Sequence, residues 1–401
     1  MRPLSYLTWL GGTFFALTCL AVALGVAVDP YRMYATPTVP GWTALKPRIN
    51  NQTEIAKTYQ LERVRPATLL LGNSRVEIGF DPESPSWPAT AYPIFNAAVA
   101  GGDLGTSLLM LRDADAVRAL DTIMLGLDFL DFLQKPSDPA SPQGPVGPNE
   151  RRLLVDRDGH PNPERPLQIW RDRIGTTLTI DAVLDALATP FDQDPETSTT
   201  MTPLGFNPLH EYRVFAARQG YYELFAQKNA IYRRQYQRYP KPDFLEPLRY
   251  ASFRQLQSIV ALATAQAEHL ILFIHPYHAD YLDMLHDVGL WQSFENWKRA
   301  LAKFVDNPGP AVQSTVQLFD FSDYNEFTTE RVPPSNDRHT IMRWYWEAGH
   351  YKPALGEEML ETMLGGVGRF GFVLTSTTVE HVLAEIQKDR YRFAERDRPR
   401  S

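Results

Sequence analysis

A serine placed at the end of an apolar run is where chemistry can begin in this chain. Residues 69–80 read LLLGNSRVEIGF: the run breaks at Gly72-Asn73, presents Ser74, and turns apolar again two positions later. A serine hydroxyl attacks well only when a base takes its proton and an acid orients that base. A matching pair lies far along the chain, in WYWEAGHYKPALG. There His350 stands just ahead of a helix that Pro353 can start, and Glu347 lies three residues upstream. At that spacing in a tight turn, carboxylate and imidazole can share one side of the loop. Ser74, His350 and Glu347 are therefore the candidate nucleophile, base and acid. Read singly, the Gly-Asn-Ser segment is also an ordinary turn and His350 an ordinary loop histidine.

Other groups compete for attention. HPYHAD places His275 and His278 three apart with Asp280 nearby, a spacing open to metal binding. No third strong ligand accompanies them, so the expectation is no metal, no organic cofactor, and a loop that lines the cleft. NDRHT puts His339 near Asp337 as a runner-up base and acid. Arg75 can serve as an ion-pair partner or meet an anionic group of a substrate. The pair Gly101-Gly102 lacks the Lys-Ser/Thr that follows a phosphate loop, which argues against nucleotide binding.

What must position these residues is an alternation of short apolar runs and helical patterns. Residues 67–71, 122–127, 270–274 and 315–321 read as strands buried on both faces. Between them, 104–119, 253–268 and 290–304 carry helical periodicity. Strands spaced by such helices predict βαβ crossovers and a parallel sheet. A long insertion over 135–250 separates the second strand from the third. It opens on a Pro-rich stretch, 135–165, that reads as a loop or flap. It continues into helical segments at 167–188 and 211–239, the latter dense in Tyr and Arg, as a surface helix pair with aromatic anchors or a platform for sugar rings.

The amino terminus is of another kind. From Leu7 to Val28 no residue is charged, enough for roughly 33 Å of helix and for a bilayer crossing. The expectation is a retained anchor over 1–28; Ala23, Gly25 and Ala27 offer the alternative of a signal-peptide cleavage site. A Pro-rich spacer over 29–52 follows, then a domain over 53–370 and a helix with a charged tail over 371–401. A short amino tail ahead of a long body fits an anchor with the body outside the cytoplasm. The net charge of -7 comes without a basic stripe, which argues against nucleic acid, and the single cysteine, Cys19, excludes an internal disulfide.

With these segments in place, the chain resembles the SGNH (GDSL-like) hydrolase superfamily, and within it the membrane-anchored, alginate-acetylation-like branch. The resemblance rests on four short blocks in order: Gly72-Asn73-Ser74, the Gly101-Gly102 segment, Gly126-Leu127-Asp128-Phe129 and Glu347-Ala348-Gly349-His350. It implies an α/β fold, a three-layer sandwich around a central parallel sheet of SGNH or flavodoxin-like type, after one N-terminal transmembrane helix. It implies that Gly101 or Gly102 donates a backbone N–H to an oxyanion, and that position 128 supplies a second donor. Here Asp128 replaces the family's Asn; an ionised carboxylate would repel an oxyanion, so Asp128 must be protonated by burial or do something else. Glu347 replaces the family's Asp.

The implied function is that of an esterase or O-acyl(acetyl)transferase acting on an envelope or extracellular saccharide through a Ser-His-Glu triad, with no cofactor. The implied setting is the bacterial inner membrane, single-pass, with the body in the periplasm and an acyl-transporting membrane protein as partner. The rival expectation is an inactive envelope protein of the same fold that binds glycan or scaffolds a polysaccharide-modification complex.

Overall fold

The computed structural model describes residues 3–137, 146–266, 269–306, 315–366 and 368–396. Part of the 135–165 flap and the last residues of the charged tail lie outside these. The chain opens with α1 (Pro3–Val28) and α2 (Thr53–Val64). It runs on through β1 (Thr68–Leu71), α3 (Ser74–Gly79), β2 (Ile94–Asn96), α4 (Leu104–Val117), β3 (Thr122–Leu127) and a single turn, α5 (Phe129–Phe132). Next come α6 (Pro148–Arg152), α7 (Arg165–Thr177), α8 (Ile180–Ala188), α9 (His210–Gln219), α10 (Tyr221–Tyr236) and α11 (Ala251–Gln266). The sheet resumes with β4 (His269–Ile274), α12 (Ala279–Asp287), α13 (Trp291–Asp306) and β5 (Thr315–Asp320). A hairpin, β6 (Tyr345–Glu347) and β7 (His350–Tyr351), leads to α14 (Pro353–Met363), β8 (Phe372–Val373) and α15 (Val379–Arg396).

The chain folds as two compact units. The first comprises the residues up to Arg63, Val146–Pro203 and Asn207–Arg213; the second comprises the other described residues.

The first unit is helical. Helix α1 is long and apolar enough to span a membrane over Tyr6–Val28. Its outer turns are exposed, and only its last turns, at Gly25 and Val28, are buried. The 29–52 stretch, expected as an extended spacer, is instead folded into turns and a short 3₁₀ segment. Val28, Tyr31, Met33 and Ile49 are buried, and the Lys46 ammonium donates to the Val28 carbonyl at 2.6 Å, capping α1. Prolines there shape turns rather than an open tether because apolar neighbours such as Tyr31 and Met33 have a surface to bury against. Nor does 53–64 open the α/β domain: α2 belongs to this helical unit, as does much of the expected insertion.

The second unit is α/β, built on a mostly parallel sheet in the order β2-β1-β3-β4-β5-β8. Leu69, Leu70 and Leu71 of β1 are all buried, as are Leu270 to Ile274 of β4, which is why these strands read as unbroken apolar runs. The register sets Leu69 beside Ile123 and Leu125 beside Leu272. Only β8 runs antiparallel, pairing Phe319 with Val373 at the edge. The chain passes from β1 outwards to β2 and then back across to β3. The order of strands therefore reverses between β1 and β3, and in open α/β sheets the crevice at the carboxyl ends beside such a reversal is where ligands bind.

Candidate active site

Ser74 sits at that reversal, three residues beyond the end of β1, as the first residue of α3. The turn that carries it depends on Gly72, whose φ of +142° is glycine territory. A Cβ there would also stand 2.6 Å from the Val76 side chain. Asn73 caps α3 by accepting from the Arg75 N–H at 3.0 Å.

The candidate base and acid come from the β6–β7 hairpin. Glu347 and His350 are directly paired across it, and residues opposite one another in an antiparallel pair put their side chains on the same face. The turn between them needs Gly349: a Cβ at that position would stand 2.6 Å from the Tyr232 hydroxyl. The outcome is a continuous relay. The Ser74 Oγ lies 2.8 Å from the His350 Nε2, and the His350 Nδ1 is hydrogen-bonded to the Glu347 Oε1. The Gly349 N–H donates to the Glu347 Oε2 at 2.8 Å, and the Tyr232 hydroxyl donates to Oε1 at 3.0 Å.

Glu347 is wholly buried. Burial opposes its charge, but the neighbouring His350, the hydrogen bonds from that ring and from the Gly349 N–H, and Lys228 hold the carboxyl down to about 2. It is therefore an anion at any ordinary pH, able to fix the imidazole tautomer and stabilise the imidazolium. His350 keeps partial access to solvent, with 17% of its side chain exposed. The arrangement can take a proton from Ser74 and hand it to a leaving group.

Of the two roles open to Arg75, the structure shows the ion pair: it is buried against Asp128, which stands where the resemblance places an oxyanion donor. Their ion pair is almost fully excluded from water, at 1% and 6% side-chain exposure. Asn73 donates to the same carboxylate at 2.7 Å, Tyr277 at 3.0 Å and the Leu130 N–H at 3.2 Å. Burial would raise the Asp128 carboxyl, yet Arg75, His275 and these hydrogen bonds hold it below the usual carboxylate range. Asp128 is thus neither protonated nor free to donate to an oxyanion. Arg75 also donates to the Gly349 carbonyl at 2.7 Å and the Tyr281 hydroxyl at 3.3 Å. It ties the helix that begins at Ser74 to the hairpin that carries His350, and only 6% of its side chain is exposed.

Of the two glycines expected to offer an N–H, Gly102 spends its own on the Val99 carbonyl at 2.8 Å, which leaves Gly101. The Val99 N–H in turn bonds the Gly72 carbonyl at 3.1 Å, holding this loop beside the Ser74 turn.

The remaining candidates stand apart from the relay. His275 is buried, its Nδ1 3.3 Å from the Tyr351 hydroxyl, and burial and the Arg75 charge push the ring down to about 3. His278 caps α12, its Nδ1 accepting from the Asp280 N–H at 3.1 Å and its Nε2 2.8 Å from the Glu330 carbonyl. Both of its nitrogens are occupied, so it does not share a metal with His275. Asp337 accepts from the N–H groups of His339 and Thr340 at 2.9 and 3.0 Å, closing an exposed turn. It does so as a turn-former, and His350 holds the place next to Ser74.

Tyr232 is the participant that the sequence did not reveal. It lies on α10, inside the Tyr- and Arg-rich run that reads as a surface helix. The helix expected over 211–239 breaks at Gly220, whose φ is +83°, and α10 starts afresh there. Contacts between α10 and β6 bring Tyr232 to Glu347. Its tyrosine-rich neighbourhood was visible, but nothing in the spacing tells one tyrosine from the next.

Set against known proteins, the sequence matches no protein-family model and no curated protein.

Proposed function

We propose that the chain is a membrane-anchored serine ester hydrolase or O-acyltransferase of SGNH type. The observation that carries this reading is the relay of Ser74, His350 and Glu347, assembled from segments some 276 residues apart in sequence. Parallel strands in the order 2-1-3-4-5, with Ser74 at the reversal, support a three-layer sandwich of SGNH or flavodoxin-like type. In the proposed reaction the Ser74 Oγ attacks an acyl carbonyl while His350 takes its proton. The tetrahedral intermediate collapses with that proton passing to the departing alcohol. The acyl group, acetyl in the resembling branch, then moves from Ser74 to water or to a saccharide hydroxyl that His350 deprotonates in its turn. The Ser74 N–H, unable to find an intrahelical acceptor at the first position of α3, and the Gly101 N–H are the oxyanion donors of this proposal.

The setting proposed with it is the bacterial inner membrane, crossed once by α1, with both units on the periplasmic side. An envelope saccharide would be the acceptor and an acyl-transporting membrane protein the donor's carrier. A second reading, a non-catalytic envelope protein, draws on one observation: Asp128, locked to Arg75, leaves the oxyanion site one donor short of the SGNH pattern. A fluorophosphonate probe on the full chain in detergent decides between them. Labelling that vanishes in Ser74→Ala is the expected result. Absence of labelling from mildly acidic to alkaline pH would establish the non-catalytic reading instead.

A further inference from the structure

Helix α7 is inside out. Its buried face is polar: Gln168, Asp172, Thr176 and Thr177 are all nearly excluded from water. Asp172 there receives Arg152 at 2.6 and 3.1 Å, Tyr59 at 2.9 Å and Gln168 at 2.8 Å. Its outer face carries Leu167, Trp170 and Ile174, at 57%, 63% and 49% exposure, spaced as one helical stripe. Helix α8 likewise turns an apolar stripe outwards. Ala182 and Ala186 are buried, while Ile180, Leu184 and Leu187 stand out at 79%, 56% and 49%. A helix pair that turns such apolar stripes outwards is suited to an apolar surrounding rather than to water.

The same pair is packed against the end of α1. A Cβ on Gly25 would come within 2.9 Å of the Thr177 methyl, and the Tyr31 hydroxyl donates to Asp185 on α8 at 2.6 Å. At 1.5 Å per residue, about 20 residues of α1 fill a hydrocarbon core. The turns at Gly25–Val28, where α7 and α8 attach, then fall at the membrane interface. Trp170 suits that depth, and the exposed Arg171 and Arg173 beside it suit lipid phosphates. We infer that α7 and α8 lie in the plane of the bilayer surface, apolar stripes down, as an interfacial collar around the point where α1 leaves the membrane. This rests on the reading of α1 as a membrane span.

The test uses the full chain in bilayer discs of phosphatidylethanolamine and phosphatidylglycerol, with one nitroxide per molecule. One sample is labelled at the native Cys19, exposed on α1. Others carry Leu184→Cys, Trp170→Cys or Glu196→Cys in a Cys19→Ala background; Glu196 belongs to the same unit, with 76% of its side chain exposed. Collision with oxygen reports lipid, and collision with a water-soluble nickel chelate reports solvent. The expected result is deep lipid contact at 19, shallow lipid contact at 184 and 170, and a several-fold higher chelate collision rate at 196 than at either. If 184 and 170 meet the chelate as freely as 196 while 19 stays in lipid, the anchor stands and the collar is overturned. Spin–spin broadening between copies at 184, or labels there immobilised against protein, would overturn it too, because protein rather than lipid would then cover the stripe. If 19 itself meets the chelate, α1 does not span the bilayer and the collar falls with it.

Discussion

Two buried carboxylates near the sheet's carboxyl edge, Glu347 and Asp128, make an instructive pair. Both are excluded from water, both are held ionised, and each faces a cationic or protonatable partner. Around Asp128 every other group faces inwards: Arg75, Asn73, Tyr277 and the Leu130 N–H saturate its two oxygens. Glu347 has a partner with two ends. One nitrogen of His350 meets the carboxylate and the other meets the Ser74 hydroxyl, with part of the ring open to solvent. In the proposed mechanism, what separates the catalytic carboxylate from the structural one is not its own charge or depth. It is whether its partner has a second face left to act with.

The most severe way to break the comparison is Glu347→Gln. The amide can still accept from the Gly349 N–H, so the hairpin should fold, but it no longer selects the tautomer that presents a basic Nε2 to Ser74. A loss of the order of 10⁴-fold in kcat is expected, by analogy with amide replacement of a triad acid, and is checked on an aryl acetate with thermal unfolding alongside.

Asp128→Asn should do the reverse, sparing the chemistry and harming the fold. It leaves the Arg75 guanidinium buried without its counter-charge, a loss of roughly 3–5 kcal/mol. Urea unfolding measures this, and titration of reactive Ser74 shows whether the folded fraction keeps its activity. The paired variant Asp128→Leu with Arg75→Met sharpens the point: removing both charges should cost less than removing the carboxylate alone. If Asp128→Asn raised turnover instead, the carboxylate would be a suppressor of catalysis and not a structural anchor.

Acid unfolding comes next in size. The Glu347 carboxyl sits at about 2 in the folded chain, against roughly 4.3 when unfolded. Its folded value is depressed, so the stability it lends is full above about pH 5 and drains away as pH falls towards 2. Unfolding midpoints in urea across that window should fall less steeply in Glu347→Gln than in the parent chain. An equal slope would mean that the carboxylate is not held by His350 in solution.

How much of this was legible beforehand follows from the same physics. The four inner strands announced themselves because parallel strands buried on both faces must be apolar throughout, as Leu69–Leu71 and Leu270–Ile274 are. Strands β2 and β8 did not, being three and two residues long and thus too short for a pattern. Ser74, Glu347 and His350 were readable because each sits within a few residues of a turn signal. The inner partnership of Asp128 with Arg75 was not, since a charge in sequence carries no mark of being buried. The grouping of α7 and α8 with α1 was hidden for a related reason: periodicity locates the apolar face of α7 but does not say whether that face or the polar one turns inwards.

The smallest expected effect gives the finest test. Tyr232 and Tyr277 each donate one phenolic hydrogen bond at 3.0 Å to a buried carboxylate, Glu347 and Asp128 respectively. In both, phenylalanine removes the hydroxyl and keeps the ring, which packs on Tyr281 in each case, edge-on at 5.2 Å for Tyr232 and stacked at 4.7 Å for Tyr277. One hydrogen bond to a charged group is worth about 1.5–3 kcal/mol at most. Glu347 retains its bonds to Gly349 and His350, so Tyr232→Phe should lower kcat/KM by a few-fold with little change in unfolding midpoint. Tyr277→Phe should do the opposite, lowering the midpoint and leaving kcat/KM per folded molecule intact. If both variants lost only stability, Tyr232 would be one more filler of a saturated carboxylate. The distinction between a two-faced and a one-faced partner would then fail at the level of single hydrogen bonds, because the energy of the Tyr232 bond would be spent equally on the resting site and on the transition state.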